Sequence, residues 1–183
     1  MRTTLIKFIR KLISDNGGFA AVEFAMVVPI MIMMLLGSVE VSDALTVDGR
    51  INIISSSISD VVARSTPVTK TDLRDIFKFG HILIGRYDIG SVKTEVVSLE
   101  PDLVTGVMKV VWSYNSDGGA PYAAGSSYPG NWDGMASAPN SLVLVKTKYN
   151  YRSPIGQFIH GNITLSHTSN NVSRVSAVKC TDC

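Results

Sequence analysis

Residues Phe19 to Val39 read FAAVEFAMVVPIMIMMLLGSV, 21 positions with one charged side chain, Glu23. As an α-helix rising 1.5 Å per residue this stretch is about 31 Å long, which matches a hydrocarbon core of about 30 Å. A helix buried in a soluble core seldom needs so continuous an apolar run, so the stretch is expected to cross a membrane. On its amino-terminal side lies MRTTLIKFIRKLISDNGG, in which Arg2, Lys7, Arg10 and Lys11 stand against one acid, Asp15. Basic flanks stay on the cytoplasmic side. Residues 1–18 therefore read as a basic leader and 19–41 as the transmembrane helix, with everything beyond exported.

The chain has 183 residues, of which 45% are apolar and 17% charged. That length suits one domain with an appendage and excludes a large multidomain enzyme, while the apolar content excludes a disordered chain. Lys and Arg total 17 against 15 Asp and Glu, but without the leader the balance is −1. A nucleic-acid binder would carry its basic stripe on the folded body, so no nucleic-acid partner is expected.

A secretory signal has an apolar core of about 7–15 residues ahead of a small-x-small cleavage site. Here the run is longer, it holds an acid near its start, and the one tolerable site is Ser42-Asp43-Ala44. Cleavage there would define a secreted adhesin beginning near Leu45. A small-residue junction, Gly17-Gly18, instead separates leader from apolar run. Glu23 calls for a reason, because a carboxylate deep in a bilayer costs about 2.5–3.5 kcal/mol on insertion scales. Cleavage after Gly18 would create an ammonium on Phe19, four residues before Glu23 and on the same helical face. That amine could meet Glu23 of its own chain or of an adjacent helix, where the pair would fix register between subunits; an interfacial Glu in contact with water is the alternative.

Gly18-Phe19-Ala20-Ala21-Val22-Glu23-Phe24-Ala25, followed by Val27-Val28-Pro29 and an apolar run to Gly37-Ser38-Val39-Glu40, resembles the TadE-like family, pseudopilins of the tight-adherence (Flp, type IVb) pilus. The resemblance implies a prepilin peptidase cutting between Gly18 and Phe19, assembly roles for Glu23 and Phe24, and a helix proline at Pro29. Phe24 stands where the major Flp pilin typically has Tyr, and major Flp subunits are very small, so a pseudopilin is implied. So are its partners: the prepilin peptidase, the Tad inner-membrane platform and assembly ATPase, the major Flp pilin, a sibling pseudopilin and the lipid bilayer. Implied too is a place in the bacterial inner membrane, with the amino terminus cytoplasmic and the head periplasmic, or incorporation into the pilus. The segment Tyr149-Asn150-Tyr151-Arg152-Ser153-Pro154 and the terminal cysteine region also resemble exported members, whereas Val172 to Val178 lacks their Arg-Pro-Arg.

Pro29 removes one helical hydrogen bond and crowds the carbonyl of Ala25, so a bend is expected there. Met26, Met31, Met33 and Met34 read either as an adaptable packing surface or as lipid-facing filler. Beyond the membrane, Ala44, Val47, Ile51, Ile54, Ile58 and Val61 form the stripe of an amphipathic extension over 42–65, with Asp43, Asp48, Arg50, Asp60 and Arg64 expected to face water. A coiled coil would need more heptads than this. Pro67 ends the helix, and Thr69 to Asp72 is a capping box for a short second helix carrying Leu73, Ile76 and Phe77, closed at Gly80. After Gly85 the pattern alternates. Met108, Val110, Trp112 and Tyr114 are expected on one strand face and Val143, Val145, Thr147, Tyr149 and Tyr151 on another, with further strands at Val92–Leu99 and around Ile163 and Leu165. The expected fold is α+β: a long pilin-like helix packed on a small antiparallel sheet, the head occupying 66–183.

Within the head, 115–140 is rich in Gly, Ser, Ala and Pro and bears Tyr122, Tyr128 and Trp132. Loops of this length are often functional, and these aromatics either anchor a partner or cover a sheet edge. Cys180-Thr181-Asp182-Cys183 lacks the further ligands zinc needs, and on a frayed terminus it does not suit thioredoxin-like chemistry. In an oxidising compartment a terminal disulfide is expected, ahead of free or partner-linked thiols. Nucleophile-elbow, phosphate-loop, zinc-protease and dinucleotide motifs are all missing from the sequence, so neither catalysis nor a cofactor or metal is expected. A structural pseudopilin is the leading reading; a signal-anchored exported enzyme or binding module is the alternative, predicting no cut after Gly18 and tolerance of Glu23→Ala.

Overall fold

Helix α1, Gly17–Arg64, passes without interruption through Pro29. The computed structural model describes residues 17–130, 141–153, 156, 161–173 and 177–183; the leader up to residue 16 and Trp132 lie outside them. The most apolar stretch of α1 has none of its residues buried against the head, which is how a membrane segment differs from a core helix of equal hydropathy. Beyond it, Val47, Ile51, Ile54, Ile58 and Val62 are each at most 2% exposed. The stripe thus ends on Val62 and not, as the spacing suggested, on Val61, which is 46% exposed, because the step of four from Ile58 holds the buried face.

Helix α2, Lys70–Ile82, starts at the expected capping box, with the Thr69 and Asp72 side chains each bonded to the other's backbone N–H. Its Leu73 and Phe77 are buried, and Phe77 stacks on Tyr114 with ring centroids 6.1 Å apart. Gly80 does not close the helix. It is where α2 meets α1: a β-carbon there would lie 2.7 Å from Ile58 Cδ1. The turn residue is Gly85, whose φ of +74° suits glycine and whose missing side chain leaves room for the Arg50 guanidinium.

Four antiparallel strands, β1 (Val92–Asp102), β2 (Val107–Asn115), β3 (Leu142–Arg152) and β4 (Asn162–Val172), are ordered β2-β1-β3-β4. The architecture is α+β, as expected. The β3 reading holds: Val143, Val145, Tyr149 and Tyr151 enter the core under α1, with Thr147 buried on the same face. For β2 the single-face reading fails. The β1–β2 register slips between Ser98 and Leu99, where Trp112 pairs with Ser98 but Val110 with Leu99. Val111 is the extra residue of a β-bulge, and a shift of one reverses the faces. Trp112 and Tyr114 therefore join the helix-side core, while Met108 and Val110 join Val97, Leu99, Leu142 and Leu144 on the opposite face.

Tyr122 and Tyr128, in edge-to-face contact at 5.0 Å, pack on that second cluster. Their segment follows the outer edge of β2 through hydrogen bonds between Val110 and Ser126, Gly125 and Val110, and Tyr128 and Met108. The described part of the 115–140 loop is thus ordered along the sheet.

β4 meets α1 through polar contacts. His167 Nε2 lies 2.9 Å from Asp48 Oδ1, Ser59 Oγ is 3.0 Å from Ser169 Oγ, and Asn171 Nδ2 donates to Ser59 Oγ at 2.7 Å. These pairs climb α1 and β4 together, so β4 runs along the helix away from its apolar half. The carboxyl terminus is tied down, not frayed. Val178 is fully buried and its carbonyl accepts from Trp112 Nε1 at 2.6 Å. Val68 and Cys180 form a parallel bridge, Cys180 and Cys183 are joined by a disulfide, and Asp182 Oδ1 accepts from the Lys70 N–H that opens α2.

Candidate functional site

Two places on α1 carry functional character. The first is its beginning. Gly18 has open space around it, Phe19 and Phe24 are 76% and 67% exposed, and Glu23 is exposed between them. One helical turn separates Phe19 from Glu23, so a backbone amine at Phe19 and the Glu23 carboxylate would share a face. Phe24, Val28, Met31 and Leu35 line an apolar concavity of about 640 Å³ that runs up to Ser38, a surface shaped for lipid chains or another helix. Among the described residues no side chain of the head covers it.

The second lies at the base of the head and was not read from the sequence. Asp43 accepts from Arg86 Nη2 at 2.5 Å, from the Tyr87 hydroxyl at 2.6 Å and from the Tyr151 hydroxyl at 3.1 Å. Its side chain is only 12% exposed, which corrects the expectation that it faces water. Asp48 and Arg50 are likewise half-buried, with Arg50 donating to the Ile84 carbonyl at 2.7 Å and lying over the Tyr87 ring. A signal was present: Asp43 stands four residues before Val47, in phase with the buried stripe. Its partners were hidden because they come from beyond α2 and from the end of β3.

Burial pushes the Asp43 carboxyl up, but the hydrogen bonds from Tyr87, Tyr151 and Arg86, with the Arg86 charge, outweigh it and hold the group below 3.8. Burial first, and then the bond to Asp43, push Tyr151 up to about 12 from 10.0. The signs fix a pH profile. A depressed carboxyl stabilises the fold above its unfolded pKa and loses that contribution as pH falls through the folded value. A raised phenol stabilises below 10.0 and loses it as pH climbs toward about 12. Thermal unfolding of the detergent-solubilised protein should therefore weaken on the alkaline side and on the acid side, where His81, its ring held below the usual imidazole range by burial, begins to oppose folding before the carboxyls do. Asp43→Asn should make the acid limb shallower without removing it, since Asp72, Asp88 and Asp102 are also held below the usual carboxylate range by their hydrogen bonds; an unchanged acid limb in that variant would remove Asp43 from the account.

As for metals, Cys180, Asp182 and Cys183 are the clustered candidate ligands among the described residues, and the disulfide occupies both sulfurs. Nothing in their geometry supplies a set of four ligands for zinc.

A long apolar amino-terminal helix, unburied for its membrane-length half and carrying a small antiparallel sheet on its other half, gives an α+β architecture with one candidate membrane anchor. Residues 18–52 match the sequence model of the TadE-like protein family. The match covers 35 of the 183 residues, the first part of α1, and shows what that segment is similar to. No curated protein and no solved structure is significantly similar to the chain.

Proposed function

We propose that the chain is a minor pilin or pseudopilin that supports assembly of a Tad/Flp adhesive pilus after a prepilin peptidase cuts between Gly18 and Phe19. The observation that carries this reading is Glu23, the one charge in a 21-residue apolar helix, five positions after a glycine junction. Proteolysis would create the cation that meets it, within the chain or across to a neighbouring helix, and the cross-chain pair would set subunit register. The exported half of α1 is suited to such packing. Val41, Leu45 and Ile53 remain 52–66% exposed, and Gly49 between them has open space, so the membrane-spanning surface continues upward as a face for other pilin helices. Before assembly the protein sits in the inner membrane with its head in the periplasm. It works there with the peptidase, the Tad platform, the major Flp pilin and a sibling pseudopilin, and it performs no catalysis.

In-frame deletion of the gene tests the reading. Surface pili should be lost while the major pilin is still made and cleaved, and plasmid-borne protein should restore them. Unchanged piliation would overturn the proposal.

A further inference from the structure

The base of the head carries an arginine at the height of the lipid phosphates. If the apolar run ends at Val39, Asp43 stands about 6 Å further along the helix axis. The headgroup layer extends about 5–8 Å beyond the hydrocarbon on each side. Arg86 is bonded to Asp43 through Nη2, so its guanidinium lies in that layer.

The guanidinium is held and presented. Nη2 serves Asp43 and, at 3.3 Å, the Tyr87 hydroxyl, and the plane sits over the Tyr87 ring, 5.2 Å from its centroid. The side chain is nonetheless 75% exposed, and among the described residues none bonds to Nε or Nη1. Arg86 opens onto a concavity of about 430 Å³ whose far wall is Ser38, Ser42 and Thr46, stacked one turn apart on α1. The Ser38 and Thr46 hydroxyls give their protons to the Leu35 and Ser42 carbonyls. Their oxygens are left as acceptors for a polar headgroup. The Asp43 charge is shared with two tyrosine hydroxyls, so Arg86 is not its sole partner.

We propose that this concavity binds the phosphodiester headgroup of an outer-leaflet phospholipid, with Arg86 Nε and Nη1 as the phosphate donors. A guanidinium presents paired donors that match phosphate oxygens. Because Asp43 and Tyr151 tie Arg86 to both α1 and β3, the bound lipid sets the depth and rotation of the head on the bilayer. The proposal rests on α1 spanning the membrane.

Native mass spectrometry of the full-length protein released from nanodiscs of phosphatidylethanolamine and phosphatidylglycerol tests it. Wild type should retain phospholipid. Arg86→Gln should lower retention roughly tenfold and Arg86→Lys less, since the charge stays but the fork is lost. Nanodiscs of a monoglucosyl diacylglycerol should leave no retained lipid, and millimolar inorganic phosphate should not displace the phospholipid. Equal retention by wild type and Arg86→Gln, equal retention of the sugar lipid, or displacement by free phosphate would each overturn the lipid site. Circular dichroism confirms that the exposed substitution leaves the fold intact, and Arg86→Lys carries the test should Arg86→Gln misfold. Alkaline extraction separates the premises. A wild type stripped from membranes removes the spanning reading and this site together, whereas one that stays but retains no phospholipid removes this site alone.

Discussion

Glu23→Val is expected to abolish piliation while leaving the protein in the membrane and cut after Gly18. Valine is favourable in lipid where a carboxylate costs about 2.5–3.5 kcal/mol, so insertion should improve, not suffer. What is lost is the partner of the new Phe19 ammonium. Removing one member of an ion pair in low-dielectric surroundings costs about 3–5 kcal/mol, so incorporation into filaments should fall by roughly a hundredfold or more. Glu23→Asp, which keeps the charge on a shorter arm, should retain part of the function. Immunoblots of membrane and sheared-filament fractions provide the readout, and normal filaments in Glu23→Val cells would refute the charge-pair mechanism.

The second large effect concerns the fold. Trp112 is 6% exposed, fills the core beneath α1, and donates to the Val178 carbonyl. Trp112→Ala should destabilise the head by about 3–5 kcal/mol, the usual range for emptying a buried aromatic site. It also orphans the carbonyl that anchors the tail. Trp112→Phe retains most of the apolar volume and should lose only about 1–2 kcal/mol with the hydrogen bond. Thermal denaturation separates the two, and limited proteolysis should find the tail beyond Val178 accessible in the alanine variant. Near-identical melting of wild type and Trp112→Ala would contradict the assigned core.

The elements that local patterns specify were legible. The long apolar helix, the capping box at Thr69 and Asp72, and the inward face of β3 depend on hydropathy, on a three-residue spacing and on strict alternation. Each survives because nothing tertiary interrupts it. The errors have tertiary causes. A bulge at Val111 shifts half of β2 to the other face, and alternation read along one strand cannot reveal a residue its partner skips. Gly80 looked like a helix end, yet it is required by the approach of Ile58 from another helix. The α1–β4 contact is built from Asp48, Ser59, His167, Ser169 and Asn171, types a hydropathy pattern assigns to water.

The candidate sites divide in the same way. Gly18, Glu23 and Phe24 could be proposed from the sequence because an acid inside an apolar run is conspicuous in one dimension. The Asp43 cluster joins positions more than forty residues apart along the chain. Only the fold brings those side chains together, and tyrosine hydroxyls buried against a helix have no local signature.

Mass spectrometry of the mature amino terminus tests the central claim most directly. In cells with an active prepilin peptidase the account predicts a chain beginning at Phe19, the first 18 of its 183 residues removed, and accumulation of the longer form when the peptidase is deleted. An intact leader in peptidase-positive cells, or a chain beginning near Leu45, would contradict it.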